Sequence, residues 1–326
     1  MIRKLSEEEI ADLLDLESLL PVIADAMVKI ENDEVECPPR PHTPIGEGLD
    51  SELGMELTMP AYIHGEEVYT TKLLGIFDQN PKRDLPTAKA QIAVKDAETG
   101  LPLAYMGGTR VTNSRTACMG GLAAKHLTSG SLRVGVIGAG SQGKWQTRGI
   151  AAGSDVEDVR IYSPSDSKYD AAETLDSELD APVDAVESPR DAVEDADIVV
   201  TGTTASEPTF PEDALAPGVT VVAVGAYTED TQELDPAVLE NADQIFGDSP
   251  DEVRHIGDWQ ATDLGEDDIR PYADVFTGDA ERQSDDERIV VESVGSAVFD
   301  AATSGLVYEK AVEQDVGSEF SLETAE

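Results

Sequence analysis

The run Gly138-Ala139-Gly140-Ser141-Gln142-Gly143 has the glycine spacing of a loop that wraps a pyrophosphate. It follows the apolar stretch Leu132 to Ile137 and precedes a helical pattern, the context that gives such a spacing meaning. Gly138 permits the tight turn, Gly140 lets the backbone approach the phosphates, and Gly143 lets the helix pack closely on the strand. The helix N-terminus adds unpaired N–H groups and a positive dipole. The six residues are therefore candidate ligands of a nicotinamide dinucleotide, NAD(P)H. A glycine-rich turn without a ligand is the alternative, and the βαβ units that follow weigh against it.

About twenty residues further on, NAD sites place an acid at the end of the second strand to bind the ribose hydroxyl. This chain has Arg160-Ile-Tyr-Ser-Pro-Ser165 there and no acid at the strand end. Ser163, Ser165 and Lys168 suit a 2'-phosphate, so NADP(H) is expected ahead of NAD(H), ordinary loop polarity being the other reading. Thr203 and Thr204 after the fourth strand, and Val224 and Gly225 after the fifth, lie where doubly wound sheets bind ligands. They are expected on the nicotinamide side, with simple turn chemistry as the alternative.

The elements that must position these groups follow from periodicity. Residues 7–31 carry apolar positions at helical spacing, with Pro21 suited to a second helix start. Strand-like runs follow at Met55 to Met59, Val68 to Leu74, Gln91 to Lys95 and Pro102 to Met106, separated by turn clusters. They predict an antiparallel sheet, then a helix over Ser114 to Leu127. Beyond residue 129, strands at 132–137, 158–162, 183–186, 197–201, 219–224, 244–247 and 288–292 alternate with helical patterns at 142–152, 166–179, 189–195 and 235–242. Such alternation predicts an α/β fold, a doubly wound parallel Rossmann sheet. The expected division is a substrate-binding and dimerisation domain over 1–128, a dinucleotide domain over 129–296, and a last helix at 295–314 that returns residues 297–326 to the first.

Among 326 residues, 67 acids face 23 basic residues, a formal net charge of -44. The acids are spread along the chain and interleaved with apolar positions, so they describe a solvated surface and not a disordered tail. The composition predicts adaptation to molar salt, where the Debye length falls to about 3 Å and like-charge repulsion is screened. So negative a field opposes nucleic acid and anionic membranes as partners. No apolar run approaches the length of a membrane span and no leader pattern follows Met1, which predicts a soluble, cytoplasmic protein. Cys37 and Cys118 have no metal-ligand spacing and are expected as reduced thiols, and His42, His64, His126 and His255 form no metal pattern either. No metal is expected.

Several segments resemble the ornithine cyclodeaminase and mu-crystallin family in order and spacing. They are Thr71-Lys-Leu-Leu-Gly75, Asn80-Pro81, Gly108-Thr-Arg-Val-Thr112 and Ser114-Arg-Thr-Ala117. The resemblance continues through the glycine loop, Glu233-Leu-Asp235, Ser293-Val-Gly295 with Asp300, Tyr308-Glu-Lys-Ala311 and Gly317-Ser-Glu319. It implies a homodimer built through N-terminal sheets, with the active site between that sheet and the dinucleotide domain. It also implies that Arg40, Lys72 and Arg115 hold a substrate carboxylate and act as the catalytic group, that Gly295 belongs to the cofactor site, and that Thr112 lines the substrate pocket. The chemistry agrees, since Arg binds a planar carboxylate bidentately and Lys neutralises it as a point charge. A Lys desolvated beside other cations can also exchange a proton near neutral pH. His42 and His64, near this trio in sequence, are weaker candidates, and Glu56, in a strand expected to face the pocket, reads first as a surface carboxylate, with a contact to a substrate ammonium as the alternative.

The resemblance departs at one position. Cyclodeaminases of the family carry an Asp shortly after the glycine that ends the fifth Rossmann strand, and the aligned residue here is Tyr227, with Asp230 three residues later. A phenol cannot replace a carboxylate in pairing with an ammonium. The expected function is therefore an NAD(P)H-dependent oxidoreductase of the alanine dehydrogenase or ketimine reductase type, acting on a small amino or imino acid. An ornithine cyclodeaminase and a non-catalytic crystallin-type binding protein stay open as alternatives.

Overall fold

The computed structural model describes residues 1–46, 53–77, 79–83 and 85–322. The chain separates into two compact units, Met1–Arg115 with Ala297–Glu326, and Thr116–Ser296.

The first unit opens with β1 (Ile2–Leu5), α1 (Glu7–Leu13) and α2 (Leu16–Glu31). Ser6 and Glu9 form a reciprocal capping box on α1, and Asp15 accepts from Ser18 N to start α2. The cap at Asp15 fixes the helix start, so Pro21 lies inside α2 and does not begin it as its position suggested. There follow β2 (Val35–Glu36), β3 (His42–Ile45), β4 (Gly54–Ile63), β5 (Val68–Ile76), β6 (Ala88–Asp96) and β7 (Pro102–Gly107). The strands β4 to β7 pair antiparallel in sequence order. The short N-terminal strand β1 pairs parallel to β7, so the sheet is mixed and not purely antiparallel. Along β4, Leu57, Met59, Ala61 and Ile63 alternate inward, the period-two pattern of a sheet with one face buried.

The helix α3 (Thr109–Leu127) carries the chain into the second unit. The boundary lies within it, not after it near residue 129 as periodicity suggested. Its second half belongs to the dinucleotide unit because Gln146 accepts from Gly120 N (2.9 Å) and donates to Thr116 O (2.6 Å). Tyr272 donates to Met119 O, and a Cβ on Gly149 would stand 1.9 Å from Ala117 O. Hydrophobic periodicity marks where a helix ends, not which core it joins.

That unit comprises β8 (Leu132–Ile137), α4 (Ser141–Gly153), β9 (Val156–Tyr162), α5 (Ser167–Asp176), β10 (Val183–Ala185), α6 (Pro189–Val193), β11 (Ile198–Thr201) and β12 (Thr220–Ala223). It continues with α7 (Pro236–Glu240), β13 (Gln244–Gly247), α8 (Pro250–Val253), α9 (Gly257–Gln260), β14 (Arg270–Pro271), α10 (Asp274–Thr277) and β15 (Ile289–Glu292). All pairs are parallel, in the order β10-β9-β8-β11-β12-β15-β13-β14. The first five places repeat the Rossmann order, with the topological switch between β8 and β11. The strands β11, β12 and β15 are buried at every residue, as expected where helices cover both faces of a parallel sheet.

The chain then returns to the first unit. The helix α11 (Ala297–Glu313) packs on α2, β4 and β5, and β16 (Ser318–Phe320) pairs antiparallel with β1.

Candidate functional site

Within the first unit, Lys72 stands on β5 opposite Met59 of β4 and Ile92 of β6, on the buried face of the sheet. The helix α11 covers this face and presents Asp300. Lys72 Nζ donates to Asp300 Oδ2 at 2.5 Å, and Arg115 Nε donates to Asp300 Oδ1 at 3.3 Å. Lys72 and Asp300 are about 1% exposed in their side chains and Arg115 9%. Burial pushes the Lys72 ammonium down to about 8; Asp300 opposes this, while the charges of Arg115 and Arg40 push the same way. Burial alone would raise Asp300, but the adjacent charges of Lys72 and Arg115 hold it below the usual carboxylate range.

The structure thus brings together Lys72, Arg115 and the charge of Arg40, which the resemblance had grouped, around one carboxylate to which no role had been given. Among the described residues, two buried cations, Lys72 and Arg115, meet the one buried carboxylate of Asp300, and an Arg fork beside a Lys point charge suits a further carboxylate. The signal for Asp300 was present as a lone acid among apolar and small residues in Ala297-Val-Phe-Asp-Ala-Ala302, because a buried acid needs a basic partner.

Glu56 does not share this environment. Register places it opposite Gly75, one step out of phase with Met59 and Lys72, so it lies on the other face of the sheet. The expectation that it faces the site is corrected by strand parity. His42 lies on β3, and His64 pairs with Glu36 at 3.1 Å, outside the Asp300 cluster. Thr112 is half-buried in the first turns of α3, the helix that carries Arg115.

In the second unit the glycine loop has the geometry its spacing predicts. Gly138 has φ +112°, and a Cβ there would lie 2.6 Å from Gly202 O. At Gly143 a Cβ would meet Gly138 O at 1.9 Å, so only glycine permits this approach of helix to strand. At Gly140, by contrast, a Cβ would point into open space. Gly140 is also the N-cap of α4, with no side chain satisfying the helix donors, and α4 runs for 13 residues. Open space over uncapped N–H groups is the cradle a pyrophosphate fills. The residues present fit a dinucleotide. Ala139 is buried, Gln142 half-buried and Ser141 exposed at the loop's tip.

The 2'-phosphate expectation is altered at one residue. Lys168 donates to Val186 O (2.9 Å) and Glu187 (3.1 Å), and its side chain is 8% exposed. Its charge is already paired, whereas Ser163, Ser165 and Ser167 form a hydroxyl chain on the surface. The ends of β11 and β12 are tied by Glu233, whose carboxylate accepts from Thr201 Oγ1 (2.8 Å), Thr203 N (2.5 Å) and Gly225 N (2.7 Å). Val224 N donates to Thr201 O, while Thr204 is exposed. Gly295, at φ +74°, donates to Asp248, which also accepts from Ser293 Oγ and Val294 N. Tyr227 is 57% exposed, its N–H bonded to Thr231 Oγ1 in a local turn. Among the described residues no group of His, Cys, Asp and Glu has the geometry to hold a metal, and no helix is long and apolar enough to cross a membrane.

Fold and site together define a class: a Rossmann-type dinucleotide unit joined in one chain to a unit that holds a buried cationic cluster. The chain belongs to the ornithine cyclodeaminase/mu-crystallin family, whose model matches residues 3–315. It is 30% identical to a Delta(1)-pyrroline-2-carboxylate reductase of Bacillus cereus, over 98% of this chain and 99% of that protein. The structure of Thermococcus litoralis Delta(1)-pyrroline-2-carboxylate reductase with NADH and L-proline superposes with a TM-score of 0.90 at 29% identity, covering 98% and 100% of the chains. An archaeal alanine dehydrogenase dimer with bound NAD gives a TM-score of 0.87 at 27% identity, covering 99% of each.

Proposed function

We propose that this protein is an NAD(P)H-dependent reductase that interconverts 2-oxo-acid imines, open-chain or cyclic, with L-amino acids. The observation that carries the reading is the convergence of Lys72 and Arg115 on Asp300 with Arg40 adding charge, a buried cationic cluster suited to an α-carboxylate. The nicotinamide supplies the hydride when the dinucleotide is bound. Arg115 and Arg40 bind and orient the substrate carboxylate. Lys72, with its pKa near 8, carries a proton at neutral pH and can place it on the substrate nitrogen as the imine carbon is reduced. Asp300 holds Lys72 and Arg115 in position.

The names and bound ligands of the relatives support this substrate class and a nicotinamide cofactor, and the alanine dehydrogenase dimer supports a homodimer here. The paired, buried Lys168 favours NADH over the NADPH expected from the loop sequence, because its charge is met by Glu187, which repels a 2'-phosphate. The acidic surface suits a cytoplasm at molar salt. Tyr227, where cyclodeaminases of the family carry an Asp, disfavours ornithine, because a phenol does not pair with its distal ammonium as a carboxylate does.

Nicotinamide absorbance is to be followed with pyrroline-2-carboxylate and with pyruvate plus ammonia, beside proline and ammonia released from ornithine, all in molar KCl. Net NADH consumption with an imine or 2-oxo acid is the expected result. Faster release of proline and ammonia from ornithine without net turnover would make the protein a cyclodeaminase, and binding without either would make it a ligand-binding protein.

A further inference from the structure

The second unit contains a buried carboxylate that the proposed chemistry does not use. Glu233 lies in the loop before α7, fully buried, and one of its oxygens accepts from both Thr201 Oγ1 at the end of β11 and Gly225 N after β12. The other accepts from Thr203 N. These two strand ends are where doubly wound folds meet the ligand.

Glu233 is itself held. Its N–H and that of Leu234 both donate to Asp258 Oδ1 at 2.7 Å, and its carbonyl accepts from Thr209 N and Thr209 Oγ1. A Cβ on Gly225 would fall 2.3 Å from Thr203 O and 2.6 Å from the Glu233 carboxyl group, so the two strand ends close tightly around this side chain. Three donors converge on one carboxylate. An amide of the same shape has a single accepting oxygen and would turn its own N–H group toward a donor.

We propose that Glu233 is a positioning residue for the nicotinamide half of the cofactor site, setting the backbone of Thr201–Thr203 and Gly225 through its buried carboxylate. The inference rests on reading the second unit as a dinucleotide site. It separates two halves of that site: the adenosine half, bound at β8 and β9, does not depend on Glu233, whereas the nicotinamide half does. A residue that merely stabilised the unit would affect both equally.

The test compares E233Q and T201V with the wild-type protein for binding of NADH and of AMP, which carries only the adenosine half, together with the primary deuterium isotope effect on reduction. Unfolding temperatures and circular dichroism establish that each variant is folded. In E233Q, NADH affinity is expected to fall at least about tenfold with AMP affinity within about twofold, and the isotope effect to rise as hydride transfer becomes more rate-limiting. T201V, which removes one donor to the carboxylate, is expected to show the same split to a smaller degree, and it decides the matter if E233Q does not fold. Equal losses of NADH and AMP affinity, or wild-type NADH binding in a folded variant, would overturn the proposal. Failure of the wild-type protein to bind NADH at all would instead overturn the functional reading beneath it.

Discussion

Asp300 of α11 and Lys72 of β5, separated by 228 positions in the chain, form a buried ion pair with the carboxylate's second oxygen on Arg115. The carboxylate serves both cations at once, one oxygen to each. Removing two charges from water costs several kcal/mol, and the attraction between them offsets that only with close geometry and with the remaining lone pairs occupied. Asp300 has close geometry to Lys72 at 2.5 Å, and its other oxygen accepts from Arg115.

Replacing Asp300 by Asn therefore leaves Lys72 and Arg115 buried without their counter-charge. Breaking one side of such a pair costs about 3 to 5 kcal/mol of stability. The pKa of Lys72 should also fall below its present value of about 8, because Asp300 is what opposes its desolvation. Thermal unfolding reads the first effect. The second appears as a shift of the alkaline limb of the reductive pH profile toward neutrality, and an unshifted limb would remove Asp300 from control of Lys72.

In the proposed mechanism protonated Lys72 donates the proton in the reductive direction, so kcat/KM for imine reduction should be highest below about pH 8 and decline above it as the ammonium titrates. The oxidative direction needs the neutral amine and should rise through the same pH. Parallel profiles in both directions would exclude Lys72 as the group that moves the proton.

Arg115→Ala should lower kcat/KM by an amount equivalent to about 2 to 5 kcal/mol, the range for truncating a desolvated charged contact. NADH affinity should change little, since Gly138 to Gly143 lie in the other unit. Kinetics matching the wild type would exclude Arg115 from carboxylate binding.

The Rossmann unit should lose stability as pH rises through the acidic range. Burial pushes the Asp258 carboxyl up to about 7 from 3.8. The folded state therefore binds the extra proton, and the stability it contributes is complete below 3.8 and lost as pH rises toward 7. Each such proton changes the slope by about 1.4 kcal/mol per pH unit. Glu292, with Oε1 buried and lacking a hydrogen-bond partner, is also raised by burial and by neighbouring acids, and adds in the same direction. Asp300, held low, acts oppositely, losing its contribution as pH falls through its folded value. Asp258→Asn should flatten the dependence of unfolding free energy on pH between about 4 and 7, and an unchanged slope would show that Asp258 titrates as it does in the unfolded chain.

Salt should stabilise the protein. With a net charge of -44, repulsion across the surface is strong at about 0.1 M KCl, where the Debye length is about 10 Å, and mostly screened at about 3 M. The unfolding temperature should rise between the two, and equal values would contradict a surface adapted to molar salt.

What the sequence by itself determined was local or periodic. The glycine loop was legible because each glycine answers to a backbone requirement within a few residues, and the structure shows the positive φ at Gly138 and the 1.9 Å approach at Gly143. The parallel strands β8 to β13 were legible because continuous apolar runs alternate with helical patterns. Tertiary structure decided the rest. No spacing says that Lys168 will be spent on Glu187 or that Glu56 will fall on the wrong face, because side-chain partners and strand parity are set by register. The join between units inside α3 follows from Gln146 and Tyr272 packing against its second half. The partners of Asp300 emerge only when α11 closes over β5, since the local pattern marks a lone acid among apolar residues but not which base it meets 228 positions away.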